Sequence, residues 1–262
     1  MLILVIGVTG NIGLHLIESL TSRGHKVRGL GRSPDKLTQE QRSKLESFVK
    51  IKNYYNVDAL DKGCNGVDAV ICSYAGTPVM HLDARLLLLR AAERAGLLTG
   101  GLAGVYFSVP GHGDFSPAYN GPWDPENKTV DIWGTGHEKW DLTTEKDAAE
   151  FSAVVIERND APEGGFWELH SGAYSPRELA EVYRKVRGVE ITFKERGSLD
   201  DLRKLAYSMR EQKPYNDYYG FIGLFYQLFQ LDGTYSLKNL DNDRLNVKTT
   251  SMEEFLQQNP DI

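Results

Sequence analysis

Gly7, Gly10 and Gly13 have the spacing that points most directly to chemistry. They follow the apolar run of residues 1–6 and open a stretch carrying Leu14, Leu16, Ile17 and Leu20. Strand, glycine turn and helix in that order begin a dinucleotide-binding unit. In that reading Gly7 turns the chain off the strand, Gly10 lets a pyrophosphate approach the backbone, and Gly13 lets the helix pack close to the sheet. Thr9, Asn11 and Ile12 complete the turn. The free N–H groups of the helix start, aided by its dipole, then meet the phosphates. Glycines also serve tight turns for steric reasons alone, so the surroundings carry the reading. A second strand, residues 26–31, follows at the right distance and runs into Arg32 and Ser33.

The acidic residue that would hold a free ribose 2′-hydroxyl is missing from the end of that strand. Arg32 stands there, with Ser33 beside it and Lys36 one turn on. A cation in this place suits the 2′-phosphate of NADP(H) rather than the diol of NAD; the alternative is that Arg32 and Lys36 decorate a solvated loop. Further on, residues 68–73 read as a buried parallel strand whose end, Ser73-Tyr74-Ala75, falls where open α/β sheets bind ligands. Tyr74 is a candidate for the nicotinamide half or, equally, a structural tyrosine. Hydride transfer also needs a proton donor or a charge stabiliser. No Tyr-x-x-x-Lys pair occurs, and His112 with Asp114 in a Gly/Pro-rich loop is the best ionisable pair. The alternative is a tight loop without chemistry.

The Gly-x-x-Gly-x-x-Gly spacing resembles that of the short-chain dehydrogenase superfamily. Residues 8–13 with Arg32-Ser33-Pro34-Asp35-Lys36 are similar to its atypical NmrA-like and isoflavone-reductase-like branch. The likeness continues through residues 66–71 and 86–92, then through residues 132–136, Thr143-Thr144 and residues 147–149. The resemblance implies an NADPH-dependent reductase of a small, aromatic or heterocyclic metabolite. It leaves open a non-catalytic NADP(H)-binding redox sensor, or a cyclase or isomerase on the same scaffold. It also implies an Asp near the adenine, for which Asp58 stands in place, although Asp58 could instead cap the following helix. The family's catalytic Lys or Tyr belongs to a βαβ step of roughly 40 residues that has no counterpart here. Either the segment is lost from this protein or the chain is discontinuous between about Gly96 and Gly101; the second is expected, because deleting a central strand would leave a buried sheet edge with unpaired backbone groups.

A chain of 262 residues suffices for one α/β domain with a smaller appendage. The expected fold is a Rossmann-type doubly wound parallel sheet over residues 1–104. A smaller α/β substrate-binding part over residues 105–262 returns some segments to the Rossmann core. The net charge of −6 offers no basic surface for nucleic acid. The two cysteines, Cys64 and Cys72, form neither a metal pair nor a disulfide framework. No metal site is expected from the histidine spacing, and no apolar stretch is long enough to span a bilayer. The expected setting is the cytosol, the expected partner a small-molecule substrate, and the expected state a monomer or homodimer.

Periodicity and punctuation predict a polar helix over residues 34–48 and a third strand beginning at Val49. They predict an apolar helix over 83–95, a strand over 130–133, a helix over 148–157 and a strand over 166–169. Ser175-Pro176-Arg177-Glu178 and Ser198 with Asp201 are helix starts of the capping-box kind. The aromatic-rich residues 215–229 read as a helix, either lid or core, and residues 251–257 as a last capped helix. Trp133 and Trp140, with Tyr106 and His112, are expected to form the pocket wall at the nicotinamide end.

Overall fold

Strand β1 (Leu2–Ile6) alternates perfectly: Leu4 and Ile6 enter one apolar cluster, Ile3 and Val5 another, and all four are inaccessible to solvent. A strand buried on both faces belongs in the middle of a parallel sheet. In the computed structural model, which describes residues 1–74, 80–97, 122–124, 126–214 and 216–260, β1 takes that place. It pairs in parallel with β2 (Lys26–Gly31) on one side and β4 (Ala69–Cys72) on the other, and β3 (Leu45–Lys50) extends the sheet beyond β2. The order β3-β2-β1-β4 is that of a doubly wound nucleotide-binding half.

The chain divides into two compact units. The first comprises Met1–Val105 and Glu145–Trp167, the second Tyr106–Thr144 and Glu168–Ile262. In the first, α1 (Asn11–Ser22) and α5 (Glu145–Glu157) cover the Ile3/Val5 face through Leu16, Ile17, Leu20, Ala149 and Ala153. Helices α3 (Val57–Cys64) and α4 (Arg85–Arg94) cover the other face through Leu60, Leu88 and Ala91. Arg23, the C-cap of α1, pairs with Glu150 and Glu157 of α5, and His25 shares Glu157 at 2.8 Å.

The second unit is a smaller α/β body. Strand β6 (Thr129–Trp133) pairs antiparallel with β5 (Trp123–Asp124) and parallel with β9 (Thr192–Gly197). Strands β7 (Trp140–Leu142) and β8 (Gly172–Tyr174) make a separate antiparallel pair. Helices α6 (Pro176–Arg187) and α10 (Met252–Gln258) pack on the Trp123, Val130 and Trp140 cluster. Helices α7 (Leu199–Gln212) and α8 (Ile222–Leu231) form their own cluster around Leu202 and Leu228. Carboxylates hold the segment leading into α9 (Asn242–Leu245). Asp141 accepts from Leu237 N and from His170 Nδ1, and Glu168 accepts from Lys238 N and Asn239 N.

Several boundaries differ from the sequence expectation. The polar helix is only α2 (Gln39–Ser43), and Leu45 and Phe48, helix-like in spacing, lie on β3 against the α1-side core. The strand expected over residues 166–169 does not form. Phe166 is 98 % exposed, and the backbone of Glu168 and Leu169 bonds to the side chains of Asp241 and Thr143 rather than to a neighbouring strand. Asn56 caps α3 through Ala59 N, leaving Asp58 exposed in the first turn. Residues 215–229 shorten to a helix that begins at Ile222 and buries Leu224, Phe225 and Leu228 against α7. Gly96 and Leu97 close α4 with bonds to Glu93 O and Ala92 O. The rest of the interval in which a discontinuity was expected lies outside the described residues.

Candidate dinucleotide site

The turn between β1 and α1 is fixed by backbone geometry that only glycine satisfies. Gly7 has φ +80°, and an ideal Cβ there would stand 2.8 Å from Tyr74 N. At Gly13 a Cβ would stand 2.4 Å from Gly7 O and 2.7 Å from Val8 Cα, so α1 can sit this close to the strand only because position 13 has no side chain. Gly7 N donates to Leu30 O and Gly10 N to Gly7 O, locking the turn to the sheet. Gly10 is different: its missing Cβ would meet only Gly7 O, at 3.3 Å, and the residue is exposed.

Helix α1 starts at this open face without any side-chain cap and without an acidic residue in its first turn. Helices α2, α6, α7 and α10 all carry full capping boxes. A helix start has N–H groups that the helix itself cannot satisfy, and a positive dipole end that favours an anion. Asn11 turns its amide to Glu145 Oε1 at 3.2 Å, and Ile12 packs its side chain into the core, so both offer the site only their backbone. Thr9 lies against Gly31 at the end of β2.

Arg32, at the carboxyl end of β2, is exposed and has no carboxylate partner among the described residues. Ser33 precedes a 3-10 turn, Pro34–Lys36, whose last residue, Lys36, is exposed. The guanidinium of Arg32 lies 5.6 Å from the centroid of the Tyr54 ring, and Tyr54 stacks on Tyr74 at 4.3 Å and 21°. Ser73 ties the end of β4 to β1 by donating its hydroxyl to Ile6 O at 2.7 Å. Burial pushes the Tyr74 phenol far above its ordinary range, so it is protonated at every physiological pH. Burial also raises the Cys72 thiol, with Arg85 partly offsetting it.

A family model described as NAD(P)H-binding matches residues 7–123, the stretch that contains this turn. Solved structures cover nearly the whole chain. An isoflavone reductase aligns at 18 % identity over 98 % of each chain, with a TM-score of 0.73. A leucoanthocyanidin reductase from Vitis vinifera, solved as a binary complex with NADPH, aligns at 16 % identity over 98 % of this chain and 99 % of its own, with a TM-score of 0.74. The chain thus shares the fold of these reductases, and its residues 7–123 match the NAD(P)H-binding model. A third structure of this fold, an NADPH-dependent quinone oxidoreductase from Escherichia coli complexed with NADPH, aligns at 18 % identity over 98 % and 99 % of the two chains, with a TM-score of 0.70. No curated protein matches the sequence.

Of the residues expected at the cofactor, Gly7, Thr9, Gly10, Asn11, Ile12 and Gly13 follow β1, Arg32, Ser33 and Lys36 follow β2, and Ser73 and Tyr74 follow β4, all at the carboxyl ends of strands of the first unit. Ala75, Tyr106, His112 and Asp114 lie outside the described residues. The second unit separates the two tryptophans assigned to one pocket wall. Trp140 is buried in the Trp123/Val130 cluster, whereas Trp133 packs with α7 and α8. They are neighbours in sequence but sit in different strands with different partners. Sequence reading passed over Tyr54, although an aromatic residue just after a strand end was a usable signal. It also passed over the Asp141–His170 pair, whose members are 29 residues apart.

Proposed function

We propose that the protein is an NADPH-dependent reductase acting on a small, aromatic or heterocyclic metabolite. The observation that carries the reading is the uncapped start of α1 beside the open face of Gly10, with Arg32 at the end of β2 and no carboxylate paired with it among the described residues. The backbone N–H groups at the start of α1 would hold the pyrophosphate. Arg32, Ser33 and Lys36 would hold the 2′-phosphate, a dianion that a planar guanidinium recognises in bidentate fashion. The bound nicotinamide supplies the hydride. The protein holds the dinucleotide, fixes its ribose-phosphate end and selects NADPH over NADH. The NADPH complexes of the leucoanthocyanidin reductase and the quinone oxidoreductase support this reading by analogy of fold.

Two measurements test it. NADPH should bind about one to two decades more tightly than NADH, the worth of one charge-assisted contact of ~1.5–3 kcal/mol, and Arg32→Ala should erase that difference. NADPH should also be consumed with a member of a panel of enones, imines and ketones. Equal affinities in the wild-type protein overturn the cofactor assignment. Tight NADPH binding without turnover on any panel member favours a dinucleotide-sensing role, for which the absence of a Tyr-x-x-x-Lys pair in the sequence is the specific support.

A further inference from the structure

We infer that Tyr54, backed by Tyr74, is a positioning residue that fixes the Arg32 guanidinium for the 2′-phosphate and so determines cofactor specificity; the inference rests on the NADPH reading above. Three strand ends meet here. Arg32 follows β2, Tyr54 follows β3 and Tyr74 follows β4, which brings them into one column of guanidinium, ring and ring. The lower two members are rigid. Tyr54 is 7 % exposed and Tyr74 is 6 % exposed, and both belong to the core cluster that contains Ile6, Leu30 and Leu60. Tyr74 is further held from behind, because its backbone nitrogen abuts the side-chain-free face of Gly7.

Arg32 itself is exposed and has no carboxylate partner among the described residues. An arginine in that state has much rotamer freedom to lose when it binds a phosphate. The face of a buried aromatic ring restrains a guanidinium without neutralising it, which a carboxylate partner would do. A ring therefore preorganises the cation and leaves all of its charge for the ligand. Burial raises the Tyr54 phenol above its ordinary range, with the neighbouring Arg32 partly offsetting it, so the platform stays a neutral ring. The same column links two ends of one ligand site: the ring that carries Arg32 rests on the residue whose backbone lines the glycine turn.

The test is a cofactor titration of Tyr54→Leu and Tyr54→Phe, alone and combined with Arg32→Ala. Tyr54→Leu should weaken NADPH roughly two- to tenfold and leave NADH within about twofold, because only the phosphate contact depends on the platform. Tyr54→Phe keeps the ring and should retain the wild-type NADPH-to-NADH ratio. In the Arg32→Ala background, Tyr54→Leu should change neither affinity. If the loss of ring volume prevents folding, Tyr54→Met preserves bulk and reads out the same ratio. A parallel loss of NADPH and NADH affinity in the Leu or Met variant overturns the inference, since a merely structural role moves both. So does an unchanged ratio in a variant whose Arg32→Ala counterpart has lost it, and in that outcome the NADPH assignment stands. A wild-type protein that does not distinguish the two cofactors removes the assignment and the inference together.

Discussion

The glycine turn makes one perturbation especially informative, the addition of a single methyl group at position 13. In Gly13→Ala the new Cβ would lie 2.4 Å from Gly7 O and 2.7 Å from Val8 Cα. Both are backbone atoms, and Gly7 O already accepts the hydrogen bond from Gly10 N. Neither can yield without displacing the turn from β2, to which Gly7 N is bonded through Leu30 O at 3.0 Å. Overpacking of this kind costs about 1–3 kcal/mol, and contact with backbone places it at the upper end. Alanine returns about 1 kcal/mol of helix propensity. The expected net loss is about 2 kcal/mol, read as a lower urea midpoint at unchanged slope. Gly10→Ala is the control, since its Cβ meets only Gly7 O at 3.3 Å and its φ of −91° suits any residue. Gly10→Val should stay folded and lose NADPH binding, because the branched side chain fills the face left open for the pyrophosphate. A Gly13→Ala protein that unfolds at the wild-type midpoint would refute the close seating of α1. Wild-type NADPH affinity in Gly10→Val would make the turn structural only.

Cys64 is inaccessible to solvent, and burial, with Asp61 adding to it, pushes its thiol from 9.0 up to about 11. The folded protein therefore holds this proton more tightly than the unfolded chain, so the associated stability is complete below pH 9.0 and is lost as the pH rises towards 11. Cys64→Ala should remove about 2–3 kcal/mol of that alkaline loss, seen by comparing urea midpoints at neutral and alkaline pH; parallel pH profiles for the two proteins would contradict it. Ser175→Ala should cost about 1 kcal/mol, because Ser175 accepts from Glu178 N while the Glu178 carboxylate accepts from Ser175 N at 2.8 Å. An unchanged thermal midpoint would show that the box is dispensable. Phe166→Ala, at a side chain 98 % exposed, should stay within about 0.5 kcal/mol of the wild type, and a larger loss in the same assay would reveal a contact for this ring.

The parts of the fold legible in the sequence are those dictated by local patterns. Residues 1–6 could only be a buried strand, and the glycine spacing marks the turn between β1 and α1. Capping boxes at Ser175, Ser198 and Ser251 marked helix starts that the structure has at those residues. What escaped depends on distant partners. Leu45 and Phe48 look helical until β2 is seen to supply the pairing that makes them a strand. Residues 192–197 are mostly polar and carry no strand pattern of their own, yet β9 forms because β6 offers it a parallel edge. Tyr54 acquires a role only when the fold carries Tyr74 to its face and Arg32 over it.

The first unit is discontinuous in the chain, and this imposes an order on its assembly during synthesis. The apolar face of Ile3, Val5, Leu16 and Ile17 is covered by Ala149 and Ala153 of α5, a helix made only after β5, β6 and β7 of the other unit. A nascent chain that has emerged through residue 105 therefore carries the four described strands of the parallel sheet with α1 in place on the Ile3/Val5 face but without the α5 part of its cover. The same holds for a fragment cut at residue 123, where the NAD(P)H-binding match ends. Contiguous exposed apolar surface of that kind invites self-association. The sheet thus waits, half-dressed, on residues that belong by sequence to a later stretch. A fragment ending at Trp167, by contrast, carries its own cover.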